Sequence, residues 1–367
     1  MKTIGLEATR ADKKYKTGTE WYAWHLLNQF KKLDKENKFF VYYNQNLAGD
    51  LMDAPENFYF KQLKWPFSKF WTHLRLGFEL IIHPVEKFFA SNAVPIMGRG
   101  EIIVTIHDLG FLKNPDLYHP LERWYQKWSH NIAVKRSKKI ITISNATKQD
   151  IIKYYPQAKD KIKVIYLGWD SSEFGPISRE DKLGYVDEHD HPEKYILYTG
   201  RIETKKNVQN LIRAYRMGNF KWPLMLAGRP GNFGYQEIQN MIKDTKIKND
   251  VIILGYVSQK NYTKLIASAS MFVFPSKFEG FGLPILEAMA SGVPVVCSDM
   301  PVLHEVAGEA AVYFDPDNPQ DIKDKMTQVY QEERLREILI AKGLKRAGNF
   351  SWQKCAQETL DYILDKS

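Results

Sequence analysis

Two glutamates, Glu279 and Glu287, flank a glycine-containing loop in the stretch 274–290. A buried strand is expected to end at the start of this stretch, and Pro284 stands where a helix would begin. Gly282 lies just before it, so the first N–H groups of that helix would point outward at its positive end, where phosphate binds well. Since carboxylates accept hydrogen bonds from vicinal hydroxyls, the pattern suits a sugar nucleotide. An ordinary strand–loop–helix connection with one capping glutamate is the alternative.

Two cations follow another predicted strand, in the segment 198–207. Arg201 stands at the end of the strand and Lys206 at the start of the next helix. Open α/β sheets bind ligands at the carboxyl ends of their strands. The two cations would there clamp a diphosphate and stabilise the charge that develops on it as a leaving group. Basic residues at loop ends are also commonly exposed to solvent without binding a ligand, which is the alternative interpretation. The diphosphate clamp is favoured because the two glutamates lie in the same half of the chain.

Short apolar runs rich in β-branched residues alternate with amphipathic segments along the whole chain. The predicted strands of the first half are 3–6, 39–43, 58–63, 102–106, 140–143 and 163–167. Those of the second half are 195–199, 224–227, 251–254, 271–274, 293–296 and 312–314. Helical patterns include 20–32, 207–215 and 321–341. This alternation is typical of βαβ units and parallel sheets, so we predict an α/β protein with two doubly wound domains.

The net charge of +9 is divided unevenly between the two halves. The chain has 367 residues, 44% of them hydrophobic and 26% charged, which indicates a globular protein of about two domains. Residues 1–170 carry 27 Lys and Arg against 17 Asp and Glu, whereas residues 171–367 carry 25 against 26. The surplus positive charge therefore belongs to the first half, and the two halves are expected to have different partners.

Cysteine content and hydropathy favour a reducing, cytoplasmic location. Cys297 and Cys355 cannot build a disulfide framework and lack metal-ligand spacing. Charged residues interrupt the N-terminal segment, so it is not expected to be a signal peptide, and no apolar stretch approaches the length of a membrane span. The polar segment 169–193 is expected to be an interdomain linker. A metal cluster at His189–His191 is the less favoured explanation of that segment.

The chain resembles glycosyltransferase family 4, the retaining nucleotide-sugar glycosyltransferases of the GT-B fold. The two glutamates have the spacing of that family's paired-glutamate motif, and 279–290 matches the motif nearly residue for residue. The segment 200–207 looks like the family's diphosphate clamp, and 295–301 resembles the strand and turn that follow the glutamates. In the first half, 105–109 and 143–150 are similar to family segments that face the donor. The resemblance covers nearly the whole chain and is strongest over 195–316.

The fold implied by the resemblance is two Rossmann-like domains that face each other across a cleft. The acceptor-binding domain would cover 1–168, and the C-terminal helix 350–367 would pack back on it. After the linker, the donor-binding domain would cover 194–349.

The resemblance also implies roles for residues at matching positions. Arg201 and Lys206 would hold the diphosphate, and Glu287 would bind the ribose hydroxyls. Glu279 would position the transferred sugar, and His107 would reach the sugar from the first domain. The remaining implied donor-binding residues are Gly18, Gly200, Gly255, Tyr256, Val257, Gly280, Phe281, Gly282 and Leu283. Gly18 stands alone where the family often has a glycine pair that touches the donor phosphate.

No metal or other cofactor is expected, because the family needs none. The Asp-x-Asp at 315–317 follows a late strand and is better explained as a turn. No Asp or Glu stands out as a nucleophile either. This fits a retaining transfer in which the leaving phosphate oxygen takes the acceptor's proton. Catalysis would then depend on positioning and electrostatic stabilisation.

Aromatic residues recur at helical spacing in the basic first half. From Phe67 to Leu74 they predict an amphipathic helix that begins at Pro66, and a second stripe covers 121–132. Packing against the sheet is one interpretation of these stripes. The other is peripheral contact with an anionic membrane, or docking of a polyprenyl-phosphate-linked acceptor. The residues expected at such a surface are Lys61, Lys64, Lys69, Trp71 and Arg75.

The leading hypothesis is a hexosyltransferase that moves mannose from GDP-mannose to a saccharide or lipid-linked saccharide in cell-surface polysaccharide biosynthesis. The segments 67–80 and 107–125 are most similar to O-antigen-type mannosyltransferases. A UDP- or dTDP-sugar donor, a non-catalytic binder of nucleotide sugars or polyanions, and a GT-B phosphorylase or epimerase are the alternatives. Nucleic acid is not expected as a partner, because the surplus charge lies in the acceptor half.

Overall fold

The computed structural model describes residues 1–11, 16–45, 47, 49–67, 69–243 and 249–366. The chain forms two compact units, one made of Met1–Gly168 and Trp352–Ser367, the other of Trp169–Ser351. Each unit is built on one parallel sheet, with helices in the connections between strands. The prediction of an α/β protein with two doubly wound sheets is confirmed.

The first unit contains a seven-stranded sheet. Its strands are β1 (Thr3–Glu7), β2 (Lys38–Tyr43), β3 (Phe58–Gln62), β4 (Lys87–Ala90), β5 (Glu101–Ile106), β6 (Lys139–Thr142) and β7 (Ile162–Val164). They lie in the order β3-β2-β1-β4-β5-β6-β7. The chain builds outward from β1 to β3 and then places β4 on the other side of β1. The winding direction therefore changes between β1 and β4, which opens a crevice at their carboxyl ends.

Among the residues of this unit that the structure describes, six helices lie in the connections between these strands. They are α1 (Gly18–Leu33), α2 (Gly49–Met52), α3 (Leu76–Ile82), α4 (Gly110–Lys113), α5 (Pro120–Arg136) and α6 (Asn145–Tyr154). Short 3-10 turns lie at Pro115–Leu117 and Pro156–Lys161. Helix α1 begins with a capping box, in which the Thr17 backbone N–H donates to the Glu20 carboxylate at 3.1 Å. This bond satisfies a donor that the helix itself leaves unpaired.

Strand β4 is the one strand of this sheet that the sequence patterns did not predict. All four of its residues are buried, and it pairs with β1 through Gly5 and Phe88 and with β5 through Phe88 and Ile102. The run is only four residues long and begins with Lys87, so it shows neither alternation nor a long apolar stretch. Its place in the centre of the sheet decides its conformation.

The amphipathic helix predicted to begin at Pro66 begins later. Trp71–Arg75 forms a π-helical turn that leads directly into α3. Phe70 precedes that turn with a φ of 65°, in the left-handed region that bulky residues rarely adopt. Of the predicted apolar stripe, Trp71 is buried, whereas Phe67 is exposed. The stripe therefore does not form one continuous face packed on the sheet.

The second unit contains a six-stranded sheet. Its strands are β8 (Ile196–Thr199), β9 (Leu224–Ala227), β10 (Val251–Gly255), β11 (Met271–Phe274), β12 (Val295–Ser298) and β13 (Ala311–Phe314). The order is β10-β9-β8-β11-β12-β13, and the paired strands are parallel. Here the winding direction changes between β8 and β11. All residues of these two strands are buried, which explains why their sequences are apolar except for Thr199.

Outside the undescribed residues 244–248, eight helices belong to this unit. They are α7 (Arg179–Glu188), α8 (Val208–Met217), α9 (Tyr235–Ile242), α10 (Gln259–Ser268), α11 (Leu283–Ala290), α12 (Pro301–Ala307), α13 (Pro319–Gln331) and α14 (Glu333–Ala347). The predicted helix over 321–341 is two helices, α13 and α14, divided at Glu332.

The segment 169–193 differs from the linker that its composition suggests. Residues 179–188 form α7, which Ser178 caps by accepting a hydrogen bond from the Asp181 N–H at 3.0 Å. Tyr185 and Val186 of α7 are buried, and the helix packs against α10. The segment is thus part of the second unit. Its two buried residues are too few to produce a clear helical period in the sequence.

The last helix, α15 (Trp352–Leu364), belongs to the first unit and packs on α1. The Trp352 ring stacks on His25 with the ring centroids 4.4 Å apart. Just after the helix, Asp365 accepts hydrogen bonds from Lys139 Nζ and, at 2.7 Å, from Lys87 Nζ. These contacts fix the end of the chain to the sheet of the first unit. No helix in the described part of the chain combines the length and the apolar character needed to cross a membrane.

Candidate functional site

The crevice between β8 and β11 is the place where a ligand of the second unit would bind, because the winding direction changes there. The loop after β8 carries Gly200 and Arg201, and the loop after β11 leads to Glu279. Both segments that the sequence singled out for chemistry therefore start from the two central strands of this sheet.

The loops that follow β8 and β9 lie against each other. A Cβ atom on Gly228 would come within 1.7 Å of the Gly200 carbonyl oxygen, so only glycine permits this approach. The Arg201 side chain is about half exposed, and its Nε lies 3.7 Å from Oε1 of the buried Glu203. Arg201 is thus held near the crevice with its guanidinium open to solvent.

Lys206 and Glu279 form a short ion pair across the crevice. Lys206 Nζ lies 2.6 Å from Glu279 Oε1, and both side chains are mostly buried. Lys206 ends the 3-10 turn Thr204–Lys206, and the next residue, Asn207, has a left-handed backbone and donates from Nδ2 to the Pro316 carbonyl at 2.7 Å. The structure therefore joins the cation and the carboxylate that the sequence separates by more than seventy residues.

The 315–317 segment forms the turn that the sequence predicted. Asp317 N–H donates to Asp315 Oδ1 at 2.9 Å, and the Asp317 carboxylate pairs with Lys277. In the part of the chain that the structure describes, no group of three His, Cys, Asp or Glu side chains is arranged to hold a metal ion.

Helix α11 begins at the same crevice with its positive end. Gly282 precedes it with a φ of 104°, and Pro284 occupies its second position. A proline there loses no helical hydrogen bond, because the first N–H groups of a helix have no partner inside it. Phe281 is buried and packs edge-to-face on Phe350, with the ring centroids 6.0 Å apart. The loop 280–283 is thereby anchored on one side.

Glu287 lies in the middle of α11 and is 8% exposed. Its Oε2 accepts a hydrogen bond from the Tyr262 hydroxyl at 2.8 Å. Burial raises the pKa of Glu287 from 4.5 to about 7, although the tyrosine hydrogen bond lowers that pKa. A carboxylate that changes charge near neutrality is typical of a functional site.

The Gly255–Val257 turn lies further along the sheet edge. It follows β10, which is separated from β8 by β9. The Gly255 carbonyl accepts from the Gly228 N–H at 2.8 Å. The loop after β10 therefore contacts the loop after β9, which in turn contacts the loop after β8. Tyr256 is about half exposed. The turn is thus on the predicted edge, but not beside the Lys206–Glu279 pair.

In the first unit, His107 follows β5 and is buried. Its Nε2 lies 2.8 Å from the Ser91 carbonyl oxygen, so this nitrogen carries the proton. Burial lowers the pKa of His107 to about 4, and the ring is therefore neutral at pH 7. Tyr22 of α1 packs edge-to-face on it, with the centroids 4.9 Å apart. The imidazole is held in one tautomer with Nδ1 as an acceptor.

Glu7 and Arg10 lie on the same edge of the first sheet. Buried Glu7 ends β1 and accepts from the Thr9 N–H at 2.8 Å and from Ser91 Oγ at 3.3 Å. Arg10 Nη1 donates to Glu20 at 2.8 Å. Gly18 is the first residue of α1, two positions before that glutamate.

A cleft of about 1020 Å³ opens at the carboxyl ends of β1 to β3. Aromatic side chains and lysines line it, among them Trp65, Phe67, Phe70, Tyr125, Lys64 and Lys69. Trp71 also lines it, but is only 6% exposed and donates from Nε1 to the Leu63 carbonyl at 2.6 Å. Lys61 and Arg75 both pair with the buried Glu79, whose single negative charge offsets the charge of one of them.

Models of two glycosyltransferase families match most of the chain. The model of Glycosyltransferase Family 4 matches residues 17–173, and that of Glycosyl transferases group 1 matches residues 185–346. The O-antigen chain mannosyltransferase B of Escherichia coli is 34% identical over 268 residues, which cover 71% of this chain and 69% of that protein. The O-antigen chain mannosyltransferase RfbU of Salmonella typhimurium is 30% identical, with coverage of 74% and 72%. The chain belongs to glycosyltransferase family 4.

Solved structures share the fold over all or nearly all of the chain. Anabaena Alr3699/HepE in complex with UDP and glucose superposes with a TM-score of 0.79 at 17% identity, covering 100% of both chains. WaaG, a glycosyltransferase involved in lipopolysaccharide biosynthesis, gives 0.77 at 14% identity, covering 98% of this chain and 99% of that one. With its two parallel sheets, the family 4 enzyme therefore has the GT-B fold. As a hexosyltransferase it is an enzyme, which sets aside the non-catalytic alternative.

Three residues of these sites were missed by sequence reasoning. Tyr262 and Thr199 lie behind Glu287, and Glu7 accepts from the hydroxyl of Ser91, the residue whose carbonyl accepts from His107. Thr199 and Glu7 each end a strand next to a change of winding direction. That position at a strand end is a signal by which the sequence could have identified them. Tyr262 carries no such signal, because it lies in an ordinary amphipathic helix.

Proposed function

We propose that this family 4 glycosyltransferase transfers mannose from GDP-mannose, with retention of configuration, to a saccharide or polyprenyl-phosphate-linked saccharide in cell-surface polysaccharide biosynthesis. The Lys206–Glu279 pair at the start of α11 is the observation that carries the proposal. It sets a cation for the diphosphate next to a carboxylate for the sugar hydroxyls. The mannose donor is supported by the names of the two relatives, both O-antigen chain mannosyltransferases.

The proposed mechanism assigns the diphosphate to Arg201, Lys206 and the N–H groups at the start of α11. These groups stabilise negative charge as the nucleotide leaves. Glu279 and the backbone of 280–283 orient the sugar, and Glu287 binds the ribose. His107 is assigned to the transferred sugar, as a neutral group with one N–H and one acceptor nitrogen. The departing phosphate oxygen takes the acceptor's proton, so no enzymic nucleophile is needed.

A thermal-shift panel of GDP-, UDP-, ADP- and dTDP-sugars tests the donor. GDP-mannose should raise the melting temperature most, and hydrolysis of the winning donor should be lost in Arg201→Ala and Lys206→Ala. Arg213→Ala is the matched control, because Arg213 is a half-exposed arginine of the same unit that pairs with Glu237. If a UDP- or dTDP-sugar stabilises the protein most, that sugar nucleotide replaces GDP-mannose as the proposed donor, and the proposed mechanism of transfer is unchanged. Stabilisation by none of them would overturn the proposal.

The acceptor is proposed to occupy the cleft at the ends of β1 to β3. Lys64 and Lys69 are exposed there, and among the residues that the structure describes no carboxylate pairs with either of them as Glu79 pairs with Lys61. Aromatic walls next to two cations suit a sugar joined to an anionic phosphate. Lys64→Ala and Lys69→Ala should lower transfer to a polyprenyl-phosphate-linked acceptor while donor hydrolysis stays at the wild-type rate. Equal loss of both activities would contradict this assignment.

Peripheral contact with an anionic membrane is proposed for the first unit. Ile82 of α3 is 68% exposed, and Leu121 and Trp124 of α5 are 73% and 63% exposed. Apolar side chains on a positively charged unit favour an anionic lipid surface. Co-sedimentation with phosphatidylglycerol vesicles should fall in Trp124→Ser and at high salt, and phosphatidylcholine vesicles should not bind. Equal binding to phosphatidylglycerol and phosphatidylcholine vesicles would refute the proposed membrane contact.

A further inference from the structure

A chain of hydrogen bonds runs behind the candidate donor site, from the end of β8 to helix α11. The Thr199 and Tyr262 hydroxyls lie 3.3 Å apart, and the Tyr262 hydroxyl donates to Glu287 Oε2 at 2.8 Å. Thr199 immediately precedes Gly200 and Arg201. Tyr262 therefore links the strand end that carries the candidate diphosphate clamp to the carboxylate assigned to the ribose.

The tyrosine is fixed on its other side as well. Its ring packs edge-to-face on the buried Phe174, with the centroids 6.0 Å apart. Thr199 is itself 2% exposed. The Tyr262 hydroxyl thus has a defined place, and the carboxylate that accepts from it is restricted to one orientation.

The direction of the hydrogen bond is fixed too. Burial, together with the nearby Glu287 carboxylate, raises the pKa of Tyr262 well above its usual value, so the hydroxyl keeps its proton. It can only donate to the carboxylate. A donated hydrogen bond favours the charged form of Glu287, and the charged form is the better acceptor for the hydroxyls of a ligand.

We propose that Tyr262 is a positioning residue for nucleotide-sugar binding: its hydroxyl orients the Glu287 carboxylate so that the free oxygen faces the donor's ribose. The inference rests on the proposed donor-binding role of Glu287. Tyr262 does not touch the reacting atoms. Its removal should weaken donor binding and leave the chemical step nearly unchanged.

The test measures GDP and UDP binding by isothermal titration calorimetry, and the KM and kcat of GDP-mannose hydrolysis. A hydrogen bond to a charged group is worth enough that Tyr262→Phe should raise the Kd and KM roughly ten-fold or more. The kcat should change less than about two-fold. Tyr215→Phe is the matched control, because its hydroxyl donates to the Trp222 backbone carbonyl elsewhere in the same unit.

A double variant separates positioning from general support of the fold. In a Glu287→Ala background, Tyr262→Phe should cause little further loss of binding, because the side chain that Tyr262 orients is gone. Full additivity of the two losses would overturn the inference, as would a Tyr262→Phe enzyme with wild-type KM. Absence of any nucleotide binding by the wild-type protein would instead overturn the proposed function. The two failures are therefore distinguishable.

Discussion

Replacing Glu287 with glutamine should stabilise the ligand-free enzyme at alkaline pH. The pKa of Glu287 is about 7 in the folded protein and 4.5 in a free side chain, and burial is the main cause. Each tenfold change in proton affinity corresponds to about 1.4 kcal/mol, so the ionised carboxylate costs the fold about 3 kcal/mol above pH 7. Glutamine keeps the shape, can still accept from Tyr262, and carries no charge to bury.

The sign of the effect follows from where the proton is held more tightly. The folded protein binds the Glu287 proton better than the unfolded chain does. This group therefore lowers the free energy of unfolding as the pH rises from about 4.5 to about 7, and no further above that. Glu287→Gln removes this slope. Variant and wild type should differ by less than about 1 kcal/mol at pH 5 and by about 3 kcal/mol at pH 8.

Thermal unfolding of both proteins at pH 5, 6, 7 and 8, without nucleotide, measures the difference. For a unit of this size, about 3 kcal/mol corresponds to roughly 6–12 °C in melting temperature. Glu309→Gln is the control, because Glu309 is 89% exposed and should give no gain that depends on pH. If Glu287→Gln melts at or below the wild-type temperature at pH 8, burial of the ionised Glu287 carboxylate does not lower the free energy of unfolding as expected.

Three further predictions concern His107, Asp365 and Gly282. Since the pKa of His107 is about 4, NMR of ¹³C-labelled histidine should show its ring neutral throughout pH 6–8, in one tautomer protonated at Nε2. Asp365→Asn should lower stability at pH 7 by about 1 kcal/mol, because hydrogen bonds from Lys139 and Lys87 hold the pKa of this half-exposed carboxyl well below its usual range. That contribution is complete above pH 4 and is lost as the pH falls from there through the lowered pKa, so the difference between the melting temperatures of the two proteins should shrink steadily below pH 4. Gly282→Ala should cost about 1–3 kcal/mol in urea unfolding, because alanine is strained at a φ of 104°.

Each of these predictions has a result that contradicts it. A His107 signal that titrates near pH 6.5 would show that the ring is solvated. An Asp365→Asn protein with a constant deficit from pH 7 to pH 3 would show that the loss is not electrostatic. The Cβ of an alanine at 282 would also lie 2.8 Å from Leu303 Cδ2. Complete recovery in the Gly282→Ala, Leu303→Ala double variant would assign the cost to that contact rather than to the backbone.

Local signals in the sequence determined a large part of this protein. The buried runs at β8 and β11 are apolar except for Thr199 at the end of β8, and both lead into glycine-containing loops, so the sequence alone was enough to predict them as parallel strands. The segment 279–290 predicted the helix start, the glycine and the two carboxylates. The resemblance to the family then supplied the fold and the class of enzyme, and both are confirmed.

The tertiary structure decided those structural features that depend on contacts between residues distant in sequence. Strand β4 is four residues long and owes its conformation to β1 and β5 on either side. Helix α3 begins late because Trp71 turns inward to donate to Leu63, and 169–193 acquires a helix because Tyr185 and Val186 find a buried surface. Tyr262 reaches Glu287 only because α10 packs beside α11. A sequence pattern records which face of a segment is apolar, but hydrogen bonds and ion pairs between side chains depend on which segments the fold brings together.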